Sequence, residues 1–138
     1  MRFAKWVFLA SGIYGLLLIP PHYFLEARIG RDYPPPITHP EYFYGFVGVT
    51  LAWQVLFLVI ASNPVRLRPA MLPAVLEKAA FAVAAPALYL AGRVHVANVV
   101  FGVIDAVWGV LFLVSWLKTR DAERGGWAGE QVPRRTDC

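Results

Sequence analysis

Four long apolar runs leave this chain few ways to fold. They cover Phe3–Ile19, Tyr42–Ala61, Met71–Ala91 and Val94–Leu117. A helix needs about 20 apolar residues to cross about 30 Å of bilayer hydrocarbon, and each run is near that length. Little polar chain remains to shield them from water. Hydrophobic residues make up 58% of the sequence and charged residues only 16%, whereas a soluble domain carries about 25% charged residues. A soluble enzyme, a disordered tail protein and a disulfide scaffold are all excluded. The single cysteine is Cys138, so disulfide or CxxC chemistry cannot arise within the chain. No basic helix or aromatic-interleaved basic patch suggests nucleic acid as a partner. The expected fold is all-α: an antiparallel bundle of four transmembrane helices within residues 1–117, followed by a flexible polar tail at 118–138.

The connections differ in kind. The first holds Pro20, Pro21, Pro34, Pro35, Pro36 and Pro40. Proline lacks an amide proton, and Pro34–Pro36 should be extended chain. Asn63-Pro64 signals a helix stop, and Gly92-Arg93 a tight turn that makes the third and fourth runs antiparallel neighbours. Arg2 and Lys5 ahead of an apolar run resemble a signal peptide, but Ile19-Pro20-Pro21 stands where a small-residue cleavage site would be. The first run is therefore expected to stay as a span. Ten basic residues fall on one side: Arg2, Lys5, Arg66, Arg68, Lys78, Lys118, Arg120, Arg124, Arg134 and Arg135. Arg28, Arg31 and Arg93 fall on the other. Lys and Arg collect on the cytoplasmic side, so both termini are expected there, with the bacterial cytoplasmic (inner) membrane as the expected location.

Polar residues inside the runs are the candidate site. Asp105 interrupts Val-Ile-Asp-Ala-Val-Trp. An Asp at a helix centre costs about 2.5–3.5 kcal/mol on insertion scales, so it should face the bundle. His95, Asn98, Gly102, Asp105 and Gly109 follow spacings of three and four and form one stripe of a helix. The stripe reads either as the wall of a ligand or proton site or as a glycine packing seam. Glu77 and Lys78 are adjacent, about 100° apart around a helix. Glu77 is expected to face inward with Ala80, Ala84, Leu88 and Ala91, while Lys78 snorkels to the cytoplasmic interface. Gln54, beside Trp53 and one turn after Thr50, is expected to hydrogen-bond Asp105 or a ligand. Trp53 and Trp108 would supply apolar or cation–π walls. Pro86 should kink the third helix.

At the end of the first run, His22 and Glu26 share a face if helix continues past the prolines. His39-Pro40-Glu41 reads as the start of the second helix, with Pro and an early acid. Two His and two carboxylates do not form a specific metal signature, so neither metal nor cofactor is expected.

The stretches Ile19-Pro20-Pro21-His22-Tyr23-Phe24-Leu25-Glu26, Tyr42-Phe43-Tyr44-Gly45-Phe46 and Trp53-Gln54-Val55-Leu56-Phe57 resemble the EXPERA group. That group comprises emopamil-binding sterol isomerases and the sigma-2 receptor. The resemblance lies in an Ile-Pro end of helix one followed by an acid, and an aromatic-Gln step in helix two. It covers the first half of the chain. Thr50 stands where the family usually has an acid, one turn before Gln54. The resemblance implies a cavity open to lipid and acids that pair with a cation-like hydrophobic ligand. In the isomerases it implies proton transfer at a sterol double bond. The topology equally resembles DoxX-like four-helix membrane proteins.

Two functions follow as expectations. One is an intramembrane pocket for a hydrophobic or lipid-like molecule, with Glu26 and Asp105 as proton-transfer groups if it is an isomerase. His22, Trp53, Gln54, Glu77, Asn98 and Trp108 would then contact the ligand. The other is a non-catalytic accessory or structural subunit, packing on a second copy or a membrane partner through the Gly/polar stripe.

Overall fold

The computed structural model describes the backbone of residues 2–128 and the side chains of residues 2–120. It is all-helical, with no strand among the described residues. The α-helices are α1 (Arg2–Leu18), α2 (Glu26–Asp32), α3 (Pro40–Ser62), α4 (Met71–Leu90) and α5 (Ala97–Ala128), with 3₁₀ turns at Pro20–Phe24 and Arg68–Ala70. Counting the flanking turns, four segments are long and apolar enough to cross a membrane: Arg2–Phe24, Pro40–Ser62, Arg68–Leu90 and Ala97–Arg120. The four-helix expectation holds to this extent. Helix α2 is an addition inside the proline-rich connection, and helix α5 continues to Ala128, into the stretch read as a flexible tail. The rest of that tail, residues 129–138 with Cys138, lies outside the described residues.

Each boundary has a local cause. Pro20 and Pro21 cannot donate to the last turn of α1, and the chain tightens into the 3₁₀ turn. The His22 Nδ1 atom bonds the Leu18 carbonyl at 2.9 Å, closing a helix end that the prolines leave short of donors. Helix α3 starts with Pro40 in its first turn and Glu41 close behind, as expected of a helix N-terminus. The α4–α5 turn places Gly92 at φ +68°, in the left-handed region that glycine tolerates.

The helices pack in the order α3, α1, α5, α4. Helices α4 and α5 run closely together, as do α1 and α3; α1 also touches α5. Helices α3 and α4 scarcely meet. Glycines permit the close pairs. A Cβ on Gly102 would lie 3.0 Å from the Ala85 Cβ, and one on Gly109 would lie 3.3 Å from the Lys78 Cβ. A Cβ on Gly15 would overlap the Gln54 side chain. The stripe from Asn98 to Gly109 is thus covered by α4 where its glycines lie. Helix α4 passes through Pro86 while remaining helical.

The core lies toward one end of the bundle. Phe8 stacks on Phe112 with ring centroids 4.2 Å apart, and Phe57 meets Phe112 edge-on at 4.9 Å. Ala4, Val7, Ile60, Ala61, Met71 and Ala74 complete it. The same end carries exposed Arg2, Lys5, Arg66, Lys118 and Arg120. Arg68 there bonds the Trp116 carbonyl at 3.1 Å and lies over its ring, while Lys118 lies over Phe3. Elsewhere the outward face is apolar, with Leu17, Leu76, Val83 and Leu90 largely exposed. Such a surface suits lipid and is rarely found facing water.

Candidate functional site

The polar centre of the bundle is an ion cluster built from α4 and α5. Lys78 Nζ lies 3.2 Å from Asp105 Oδ1 and 3.2 Å from Glu77 Oε2. It also reaches Glu77 Oε1 at 3.4 Å. The side chains are 7%, 19% and 17% exposed for Lys78, Asp105 and Glu77 respectively. Lys78 Nζ also sits 5.4 Å from the centre of the Phe57 ring on α3. One ammonium therefore holds two acids beside an aromatic face. A single buried charge would be costly in such surroundings, and an opposite charge at contact distance offsets that cost.

This overturns the expectation for Lys78. It does not snorkel outward; it is buried, and both acids turn to it. The signal was present in the spacing. Met71, Ala74, Lys78 and Ala85 are the buried residues of α4, and their intervals of three, four and seven trace one helical stripe. Leu76 and Val83 mark the opposite, exposed side. Glu77 therefore lies at the edge of the buried stripe. The face read as inward with Glu77 is mostly exposed, at Ala80, Ala84 and Ala91. Long aliphatic residues could claim the outer face, and the one lysine was left with the interior.

Asp105 faces α4, and its expected bond to Gln54 is not formed. Gln54 is buried, but its amide donates to the Thr50 carbonyl at 3.0 Å and its side chain lies against Gly15 of α1. The two residues belong to different helix pairs. Asn98 donates to the His95 carbonyl at 3.2 Å, and His95 Nδ1 accepts from the Ala97 amide at 3.2 Å. Both residues serve the start of α5. His95 precedes that helix and so falls outside the helical stripe assigned to it. Its ring packs edge-on to Tyr33 at 5.5 Å.

Trp53 and Trp108, expected as walls of the site, are partly buried against the aromatic core. Trp53 meets Phe57 at 6.2 Å, and Trp108 meets Phe112 at 6.4 Å and Tyr14 at 6.1 Å. The ring beside the Lys78 ammonium is Phe57, rather than the expected Trp53 or Trp108.

Glu26 and His22 stand apart at the proline-rich end. Glu26 Oε2 accepts a 2.7 Å bond from the Tyr44 hydroxyl, and Tyr44 stacks on Tyr23 at 6.0 Å. A shallow groove of about 300 Å³ runs past Glu26, Gly30, Arg31, Pro36 and Ile37. His39 and Glu41 pair with each other at 3.3 Å on the surface. Among the described residues no three His, Cys, Asp or Glu side chains gather as metal ligands. The expected site therefore divides: Glu77 and Asp105 come together through Lys78, while Glu26 and His22, Gln54, and Asn98 occupy three other places. No family model matches the chain, and no match appears among the curated proteins or the solved structures compared.

Proposed function

We propose that the protein resides in the bacterial inner membrane with both termini cytoplasmic and binds an amphiphilic, lipid-like small molecule through the α4–α5 ion cluster. The orientation rests on the basic residues. With Lys78 inside the bundle, nine remain on the terminal side (the ten counted above less Lys78) against Arg28, Arg31 and Arg93 on the other. Reporter fusions at the C-terminus should be active only in the cytoplasm; a C-terminus read outside would refute the orientation.

The observation that carries the binding reading is the imbalance of the cluster. Two carboxyls share one ammonium. With all three groups ionised, one negative charge is left over in an apolar setting. A net charge there must be met by a proton or a counter-cation. An amine on a hydrophobic body supplies such a cation, and its apolar part finds aromatic side chains beside the cluster. If the ligand is also transformed, the surplus acid suits proton transfer, and the reaction would be an isomerisation of the type that the EXPERA resemblance implies. The accessory-subunit reading relied on the glycine stripe as a free surface, and α4 already covers those glycines.

The test is thermal stabilisation of the detergent-purified protein by dodecylamine, with dodecanol as the neutral control. Dodecylamine should raise Tm in a saturable way that dodecanol does not match. Equal responses to both would sink the binding reading.

A further inference from the structure

We propose that Arg2, Lys5 and Lys118 hold the headgroup of one anionic phospholipid, whose acyl chain lies along α1 over Trp6, Ile13 and Leu17. The site uses neither the α4–α5 ion cluster nor a ligand of that cluster. It rests on the proposed placement in a membrane and on no other part of that reading.

The first observation is the distribution of charge. The acids among residues 2–120 are Glu26, Asp32, Glu41, Glu77 and Asp105. The last two turn to Lys78 inside the bundle, and the others lie in or beside the proline-rich connection. Arg2, Lys5 and Lys118 are exposed, and among the described residues no acid pairs with them. At the opposite end Arg28 and Arg31 both reach Asp32, at 3.3 and 3.2 Å. Residues 121–138 bring four acids against three basic residues, too small a surplus to offset Arg2, Lys5, Arg66 and Lys118. Exposed cations beside a membrane, without acids of their own, draw anionic headgroups.

The second is the face of α1 on which these cations stand. The buried residues of α1 are Ala4, Val7, Phe8, Ser11, Gly12 and Gly15. On the opposite side Trp6, Ile13 and Leu17 are 65%, 47% and 74% exposed. At helical spacing these three fall within about 20° of one line along the helix, and Arg2, one turn before Trp6, within about 40° of it. From Trp6 to Leu17 the line is about 16 Å long at helical rise. One leaflet is about 15 Å deep, half of the bilayer hydrocarbon. A cation at one end and a leaflet's depth of apolar surface below it complement a phospholipid along its length.

The third is how the cations are gathered. Lys118 of α5 has its Nζ 4.6 Å from the centre of the Phe3 ring, which brings that ammonium onto α1. Phe3 lies about 60° to one side of the Trp6 line and Lys5 about 100° to the other. Lys5 and Lys118 therefore flank the stripe, with Arg2 near its head. Their N–H groups suit charge-assisted bonds to phosphodiester oxygens. The Trp6 indole suits the headgroup level, where one side of the ring meets hydrocarbon and the other meets water. A zwitterionic phospholipid has the same phosphodiester but brings its own ammonium, which opposes three cations. A soluble phosphate ester has no chain to cover the stripe.

The experiment is native mass spectrometry of the full chain in detergent micelles that contain equal amounts of phosphatidylglycerol and phosphatidylcholine with the same acyl chains. The wild type should retain phosphatidylglycerol in preference by about tenfold, because each basic residue near an anionic headgroup adds to the attraction. The combined variant Arg2→Gln/Lys5→Gln/Lys118→Gln should bring the two lipids to within about twofold of each other. Arg28→Gln/Arg31→Gln, at the other end, should leave the preference as it is. Equal uptake of both lipids by the wild type, or a preference that survives the triple substitution, overturns the assignment while the membrane placement stands. Glycerol 3-phosphate in molar excess should not displace the lipid; displacement would give the site to a soluble phosphate ester. Release of the chain from membranes by alkaline carbonate fails the membrane placement, and the assignment with it.

A second measurement locates the acyl chain. In phosphatidylcholine vesicles, phosphatidylglycerol brominated on its chains should quench the protein's tryptophan fluorescence more than the same mole fraction of brominated phosphatidylcholine. Trp6→Phe keeps the stripe apolar and should remove that excess. No excess in the wild type, or an excess that Trp6→Phe leaves unchanged, overturns the assignment.

Discussion

Replacing Lys78 by methionine is expected to cost about 3–5 kcal/mol of stability, the range for removing one partner of a buried ion pair. Methionine matches the length of the lysine stem and keeps its contact with Gly109, so packing contributes little to the loss. The cost comes from Glu77 and Asp105, two acids left without their shared cation. Adding Asp105→Leu should recover part of the loss, because it removes one of the two acids left without a cation while Glu77 stays unpaired. Reversible unfolding in mixed micelles of the wild type, both single variants and the double variant gives the coupling. Independent effects of the two substitutions would mean that the ion pair contributes nothing.

Phe112→Ala should be the most damaging of the apolar substitutions. Phe112 is fully buried, stacked on Phe8 and edge-on to Phe57, so it joins α1, α3 and α5 at one point. In a soluble protein the truncation costs about 3–5 kcal/mol. With the proposed placement in a bilayer a smaller loss of about 2 kcal/mol is expected, because lipid tails are as apolar as a core and only the lost packing counts. Leu76→Ala, on the exposed side of α4, should change stability by less than about 0.5 kcal/mol. The same unfolding assay compares them; equal effects would deny Phe112 its role as the bundle's central contact.

Much of the architecture is legible in residue order. Length and apolarity give four spanning helices, Pro20-Pro21 closes the first, Pro40-Glu41 opens the next, and Gly92 turns the last pair. These signals act over one or two helical turns, so neighbouring residues suffice to read them. The end of α5 was harder. The polar residues after Leu117 read as tail, yet the backbone stays helical to Ala128. A helix can outlast its apolar run, because backbone bonding needs only continuing helical geometry and not burial.

The candidate site was legible as an inventory and less so as an arrangement. Glu77 and Asp105 were identifiable because an acid in an apolar run needs an explanation. That they share Lys78 was not, since two plausible rotations of α4 differ by the 100° between adjacent residues. Apart from Glu77 and Lys78, α4 is apolar on nearly every side, and the contrast between wet and dry faces that orients a soluble helix is missing from its sequence. The choice between Gln54 and Lys78 as the partner of Asp105 fell to helix pairing for the same reason.

By itself, then, the sequence determined the four long apolar helices, the breaks that proline and glycine set between them and the charge asymmetry of their ends, but neither α2 nor the reach of α5 to Ala128. Tertiary structure decided which faces meet. Gly102 and Gly109 let α4 approach α5 closely enough for Lys78 to reach Asp105, and Gly15 admitted Gln54 against α1. The physical reason is that hydrophobicity is a property of each residue and local order, while contact depends on the shapes of two helices together. A glycine specifies a close approach only when the facing surface is known, and that surface comes from another part of the chain.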